Sequence, residues 1–286
     1  MDPDDRVHVI PGYLAGPGDP DAALEQFLSD HAAWSRYRPA GGDTTVLVSD
    51  DLLFRVQLDH EPDLNDQIRW TIVEYADPVG DVVWRATFDA ATPHEIPMAV
   101  ARALTATFHG FDPTRLHVAS DGHASKQTVG DYLRNEGWSI ADHGDAMAFR
   151  SLDGSAVLSQ HDLAPYLDEP GGEAAWSLAT ATDLHVGPPG TSEHHWHAEF
   201  SAFAPAYPVL AVLHELIEPM PAKRRSTELP QALREHVTTR PDPRALRSSA
   251  ASRRTSKTST ALGSPPEAPS VTPPTVPPGP ATRRHS

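Results

Sequence analysis

The sequence predicts an α+β fold of two tandem repeats, each a helix, a four-stranded antiparallel meander and a second helix, plus a disordered C-terminal tail. Three observations predict it. All six tryptophans fall into pairs, Trp34 with Trp138, Trp70 with Trp176 and Trp84 with Trp196, at separations of 104, 106 and 112 residues. The stretch Trp84-Arg85-Ala86-Thr87-Phe88 resembles Trp196-His197-Ala198-Glu199-Phe200, and Pro93, Ala99, Val100 and Leu104 meet Pro205, Ala211, Val212 and Leu216 at the same offset of 112. Self-similarity of this kind is read before any single residue because it sets the architecture. Finally, the pattern stops near Thr238: of the 47 residues from Arg240 onward, 24 are Pro, Ser or Thr, too few of them apolar to offset the entropy of ordering.

In the first unit, residues 1–112, the apolar run Val7–Ile10 leads into a turn-rich stretch, and Asp19-Pro20 has the form of an N-cap followed by proline in the first helical turn. Leu24, Phe27, Leu28 and His31 give helical spacing up to Trp34. Thr45–Val48, Leu52–Leu58, Ile68–Tyr75 and Val82–Phe88 read as four strands punctuated by Gly, Asp and Pro. Thr92-Pro93-His94-Glu95 has capping-box form, which predicts a helix running to about Phe108.

The second unit, 113–222, repeats the order. Val129, Leu133 and Trp138 belong to its first helix and the exit from it. Met147–Arg150, Ala156–Ser159, Trp176–Thr182 and His194–Phe200 are its strands, and Val209, Leu213, Leu216 and Ile217 line its second helix. Leu116–Ala119 is the counterpart of Val7–Ile10. Residues 223–239 form a connecting segment with room for a short helix, and 240–286 form the tail.

Charge and composition narrow the function classes. The net charge of −16 divides into +6 for Arg240–Ser286 and −22 for the rest, so the repeats repel phosphate backbones and only the tail suits nucleic acid. Arg244, Arg247, Arg253, Arg254 and Lys257 are the expected tail contacts. The absence of cysteine excludes disulfides, thiolate metal sites and cysteine nucleophiles. The acidic start has no apolar run and no stretch reaches the ~20 apolar residues of a membrane helix, so a cytoplasmic protein that does not touch the membrane is expected.

The tryptophans could form a stacking surface for bases or sugars. Trp84, Ala86 and Phe88 alternate on one face, however, as do Trp196, Ala198 and Phe200, which predicts a packed core of Trp34, Trp70, Trp84, Phe88, Trp138, Trp176, Trp196 and Phe200. His195, His197 and Glu199 would share the opposite strand face, and imidazole with carboxylate suits zinc. The first copy has Val83, Arg85 and Thr87 there, so such a site would belong to the second unit alone. His60-Glu61 and His214-Glu215 are adjacent acid–base types, and Asp50-Asp51 and Asp63 with Asp66 sit in turns. Gly16-Pro17-Gly18-Asp19 lacks the lysine of a phosphate loop, and no nucleophile elbow, dinucleotide fingerprint or HExxH is present. No cofactor and no catalytic residue are expected.

The duplicated unit resembles the actinobacterial domain-of-unknown-function 317, or SPDY-domain, family over roughly residues 7–218. The resemblance rests on Tyr13-Leu14-Ala15-Gly16-Pro17-Gly18-Asp19, on the W-x-A-x-F strand and on Thr92-Pro93-His94-Glu95-Ile96. The Ser-Pro-Asp signature falls at Ser49-Asp50-Asp51 and Ser151-Leu152-Asp153-Gly154, both without the proline. Resemblance to this family implies two copies and a streptomycete-like source, including mobile elements; it implies no activity. A duplicated scaffold retained mainly at packing positions and the missing catalytic constellation together predict a non-enzymatic interaction protein holding an unidentified protein partner. The alternatives are a mobile-element factor touching nucleic acid through the tail and a metal-dependent enzyme with its site in the second repeat.

Overall fold

Along Thr44–Ser49, Thr45, Leu47 and Ser49 are buried while the residues between them are not; this period of two recurs from strand to strand. The computed structural model describes residues 6–62, 67–108, 122–142, 146–161, 174–181 and 195–242, all within one compact unit that ends at Asp242. Its strands are β1 (Arg6–Ile10), β2 (Trp34–Tyr37), β3 (Thr44–Ser49), β4 (Phe54–Asp59), β5 (Ile68–Tyr75), β6 (Val82–Asp89), β7 (Ser139–Asp142), β8 (Ala146–Arg150), β9 (Ala156–His161), β10 (Ala174–Thr180), β11 (Trp196–Ser201), β12 (Ala222–Arg225) and β13 (Thr238–Pro241). The helices are α1 (Pro20–Asp30), α2 (Glu95–Phe108), α3 (Gly122–Asn135) and α4 (Ala206–Ile217). The described residues are therefore α+β, with antiparallel strand pairing throughout.

Ten strands form one continuous sheet in the order β2-β3-β4-β5-β6-β11-β10-β9-β8-β7. Five come from each half of the chain, one more than the meander the sequence predicts. The additions are β2 and β7 at the two edges. They escape sequence reading because β2 is four residues long, with only Trp34 buried, and all of β7 is exposed, so neither carries an amphipathic alternation. Trp34 accordingly opens a strand rather than closing a helix.

The halves meet where β6 pairs with β11: Ala86 lies opposite Phe200, Thr87 opposite Glu199 and Phe88 opposite Ala198. Under the sequence offset of 112 this register maps onto itself, with Thr87 and Glu199 at its centre. Each large ring sits across from an alanine, and Phe88 meets Phe200 edge to face at 6.0 Å and 86°. Asp89 reinforces the joint. Its carboxylate accepts from the backbone N–H of Ala91, Thr92 and His197 and from the Thr92 hydroxyl. Burial nonetheless pushes its pKa up, outweighing those bonds.

All six tryptophans lie in the core between sheet and helices, and Trp70, Trp84, Trp176 and Trp196 are each 1% exposed. Trp70 stands opposite Phe88 and Trp176 opposite Phe200, while Ile72 faces Ala86 and Leu178 faces Ala198. Over the joint, α2 packs against α4, and α3 packs on α4. No helix among the described residues is long and apolar enough to cross a membrane.

The hairpins β3–β4 and β8–β9 share a side-chain lock. Ser49 Oγ donates to Asp51 and accepts from Phe54 N–H, while Leu53 N–H donates to Asp51. Ser151, Asp153, Ser155 and Ala156 make the same bonds. In both turns the fourth residue is left-handed, Leu52 at φ 64° and Gly154 at φ 72°. Asp50 and Leu152 hold the second position of a β-turn closed by Leu52 N–H on Ser49 O and by Gly154 N–H on Ser151 O, a place that favours proline but accepts most residues. That is why a Ser-x-Asp turn survives without one.

The strands of a second, three-stranded sheet come from opposite ends of this unit, in the order β12-β1-β13. The segment 223–239 thus holds strand and a single 3₁₀ turn at Gln231–Leu233 rather than a short α-helix. Arg240 belongs to β13, so the basic tail begins after Asp242 and lies outside the described residues. The boundary at 112/113, Leu116–Ala119 and Asp63 with Asp66 also lie outside them.

Replacing Phe200, which is fully buried at the joint, by alanine removes its ring from Phe88 and leaves a cavity. We expect a loss of about 3–5 kcal/mol in urea-induced unfolding. A loss below about 1 kcal/mol would show that the halves do not depend on this contact.

Candidate functional site

Arg224 on β12 is 2% exposed, and each of its five guanidinium N–H groups has an acceptor. Nε is shared between Ala15 O at 3.2 Å and Gly16 O at 3.3 Å. Nη1 donates to Glu95 Oε1 and Lys223 O, both at 2.8 Å, and Nη2 to Gly16 O at 2.8 Å and Glu95 Oε2 at 2.6 Å. One side chain thus ties β12 to the N-terminal loop and to the first turn of α2. The loop must come close: a Cβ on Gly18, whose φ is +66°, would lie 2.6 Å from Arg224 Cζ and 2.8 Å from His94 Nδ1.

This arrangement replaces the predicted capping box. Thr92 turns back to Asp89, and the Glu95 carboxylate goes to Arg224, a charged partner that the sequence places 129 residues away. Burial alone would raise the Glu95 pKa, but the paired Arg224 bonds and His94 hold it below the ordinary range. His94 Nδ1 lies 3.0 Å from Pro17 O; a carbonyl only accepts, so this nitrogen carries the proton. Its Nε2 lies 3.3 Å from Glu95 Oε1, yet burial lowers the His94 pKa and favours the neutral ring.

Beside this cluster opens a cleft of about 350 Å³ between α1, the start of α2 and the β1–β12 ribbon. Ala22, Ala23, Phe27 and Met98 supply its apolar lining. Asp19, which caps α1 by accepting from Ala22 N–H, lies on one wall with Asp30 and His31. Arg6, Lys223, Arg225 and Glu228 form the opposite wall. Arg102 closes the α2 side, 3.5 Å from Glu215. No Ser, Thr, Cys or Tyr lines the cleft.

The candidates from sequence lie elsewhere. His195 precedes β11, its backbone N–H donating to Thr180 O at 2.6 Å. His197 and Glu199 share the sheet face opposite the helices, 3.9 Å apart at nearest, with side chains 34% and 50% exposed. Among the described residues, no group of three His, Cys, Asp or Glu side chains could hold a metal ion. His60 lies 2.9 Å from Thr45 Oγ1 and 3.6 Å from Asp21, across from α1 and away from an acid–base partnership with Glu61. Glu215 pairs with Arg102, and burial raises its pKa. The cleft escaped sequence reading because Lys223-Arg224-Arg225 is one basic run, in which nothing but the register with buried Ala222 separates the inward arginine from its neighbours.

Residues 48–108 match the family described as SPDY: Domain of unknown function (DUF317), and the chain resembles that family there. The span runs from the last residues of β3 to the end of α2, and so holds the Ser49-Asp50-Asp51 turn, the W-x-A-x-F strand and the Arg224 partner Glu95. No curated protein and no solved structure matches the chain.

Arg224→Met should destabilise the fold by about 3–5 kcal/mol, because it strips the buried carbonyls and the partly buried Glu95 carboxylate of their shared donor. Arg224→Met combined with Glu95→Gln should recover part of that loss in urea titrations, and Arg224→Lys should not substitute for the fork.

Acid should loosen the same cluster. For His94 the folded pKa lies below the unfolded 6.5, so as pH falls through that window only the unfolded chain gains the proton and stability drops. Glu95 is depressed from 4.5, so its contribution is present above 4.5 and lost as pH falls through the folded value. Melting temperatures against pH should show the upper limb weakened in His94→Gln and the lower limb weakened in Glu95→Gln. Curves parallel to that of the natural chain would refute this assignment.

Proposed function

We propose that this chain is a non-enzymatic interaction protein, built of two copies of one helix–meander–helix unit, that holds a protein partner in the cleft beside Arg224. The reading is carried by the cleft itself. Its walls come from α1, α2 and β12, and Arg224 locks two of them together through Glu95, so the site is held open before any ligand arrives. An apolar lining with charges of both signs on the rim suits a side chain or short segment of another protein. The lining offers no hydroxyl or thiol, and its partly buried Glu95 carboxylate is engaged by two arginine bonds, which favours binding over nucleophilic chemistry. The duplication draws its support from the self-mapping register at Thr87 and Glu199 and from the matched Ser-x-Asp hairpins.

The test is co-purification with the tagged full-length chain and with Ala22→Trp. Ala22 is exposed and lines the cleft, so tryptophan there fills the space with little cost to the core. A stoichiometric partner held by the natural chain and released by Ala22→Trp, with circular dichroism unchanged, is the expected result. A partner held equally by both would move the surface off the cleft, and no partner at all would sink the reading. Any tail deletion should be cut after Asp242, because a chain ending at Thr238 loses β13.

A further inference from the structure

The three-stranded sheet has two unlike faces. Val7, Val9 and Ala222 are buried on one. On the other, β1 sets Arg6 opposite Arg225 and His8 opposite Lys223, and β13 sets Arg240 opposite His8. Directly paired residues of an antiparallel ladder share a face, so Arg6, His8, Lys223, Arg225 and Arg240 form one basic surface. Like charges placed opposite one another destabilise a ladder, and solvation alone would be served equally by acidic or neutral residues. The local counter-charges are long contacts. Asp242 lies 3.9 Å from His8 and 3.8 Å from Lys223, and Glu228 lies 3.7 Å from Arg225. Arg6 and Arg240 have no ion pair among the described residues.

This surface is an exception on a chain of net charge −16. Three of its members, Arg6, Lys223 and Arg225, are also the cleft wall across from Phe27 and Ala23. We propose that the cleft and this basic face together bind a short acidic segment of the protein partner, an apolar side chain entering between Phe27 and Met98 while neighbouring carboxylates pair with Arg6, Lys223 and Arg225. The inference rests on the interaction reading above and adds the chemistry of what is bound.

Nucleic acid is the weaker match for the same cations. Beyond the patch the body of the chain is acidic. A long polyanion extends past the basic patch by more than the ~8 Å over which salt screens charge, and so meets repulsion that a short segment avoids. A phosphate backbone also has no use for the apolar floor.

The experiment uses the full-length chain and a short fluorescein-labelled peptide of alternating Glu and Leu, read by anisotropy. A peptide with Lys in place of Glu, an oligothymidylate competitor and the double variant Arg6→Glu/Arg225→Glu complete it. The expected result is binding of the Glu peptide that weakens with salt, is not shared by the Lys peptide, and falls by about tenfold or more in the double variant. Circular dichroism and melting temperature of that variant should match the natural chain. Equal binding of both peptides, or affinity unchanged by the double variant, would overturn the proposal. So would oligothymidylate binding more tightly than the peptide and failing with the same variant, which would assign the surface to nucleic acid. If an Ala22-sensitive partner survives Arg6→Glu/Arg225→Glu, the acidic-segment inference falls and the interaction reading stands; if the natural chain retains no partner, that reading itself falls.

Discussion

Three residue pairs between β6 and β11 turn two half-sheets into one, and the rest of the molecule is placed by them. Pairing at Ala86–Phe200, Thr87–Glu199 and Phe88–Ala198 fixes where α2 and α4 follow their strands, and so brings the two helices into contact over the joint. A slip of β11 by one residue against β6 would turn Phe200 to the outer face and bring Glu199 under the helices. Asp89 guards against this by holding the His197 N–H from one side of the joint and the turn that leads into α2 from the other. Covalent continuity does little here, since the paired residues are more than a hundred positions apart. Packing of two rings against two alanines sets the register.

From that frame the charged cluster follows. Since α2 is positioned by the sheet, Glu95 arrives at a fixed place in its first turn, and Arg224 reaches it from the far end of the unit. A buried ion pair of this kind adds little net stability against well-packed apolar residues, because both groups lose their water. What it supplies is position: five donors with five acceptors admit one geometry. The N-terminal loop at Ala15 and Gly16 is fixed by the same atoms. Tyr13, just before it, is held at the other half of the sheet by Asp153 and Ser155, with burial raising its pKa to about 12.

Much of this was legible in the sequence, and for identifiable reasons. The long strands β5 and β6 and the helices α2 and α4 carry strong periodicity, and the tryptophan offsets point to residues that the structure buries. The Asp19 cap is local and was read correctly, with its side chain on Ala22 N–H. The Thr92 box has equally local form, yet its carboxylate was claimed by a distant arginine, and no local signal reports such competition. β2, β7, β12 and β13 are four residues each, too short for alternation to stand out. The cleft is harder still, because its walls lie together only after β1 and β12 pair, and spacing along the chain contains no trace of that. His195, His197 and Glu199 show the converse: adjacency in sequence brought two side chains to one exposed face without assembling a site.

The pairing of β1 with β12 and β13 also dictates an order of events during synthesis. Residues 6–10 leave the ribosome long before their partners at 222–225 and 238–241 are made. At ~5–20 residues per second the first strand waits on the order of 10–40 s. Until then Arg224 is absent, Glu95 has no fork, and the basic wall of the cleft does not exist. A nascent or truncated chain can complete much of the large sheet and still be unable to close the cleft. The fork on Glu95 is thereby reserved for chains translated past Arg224, and the complete three-stranded sheet for those translated through Pro241.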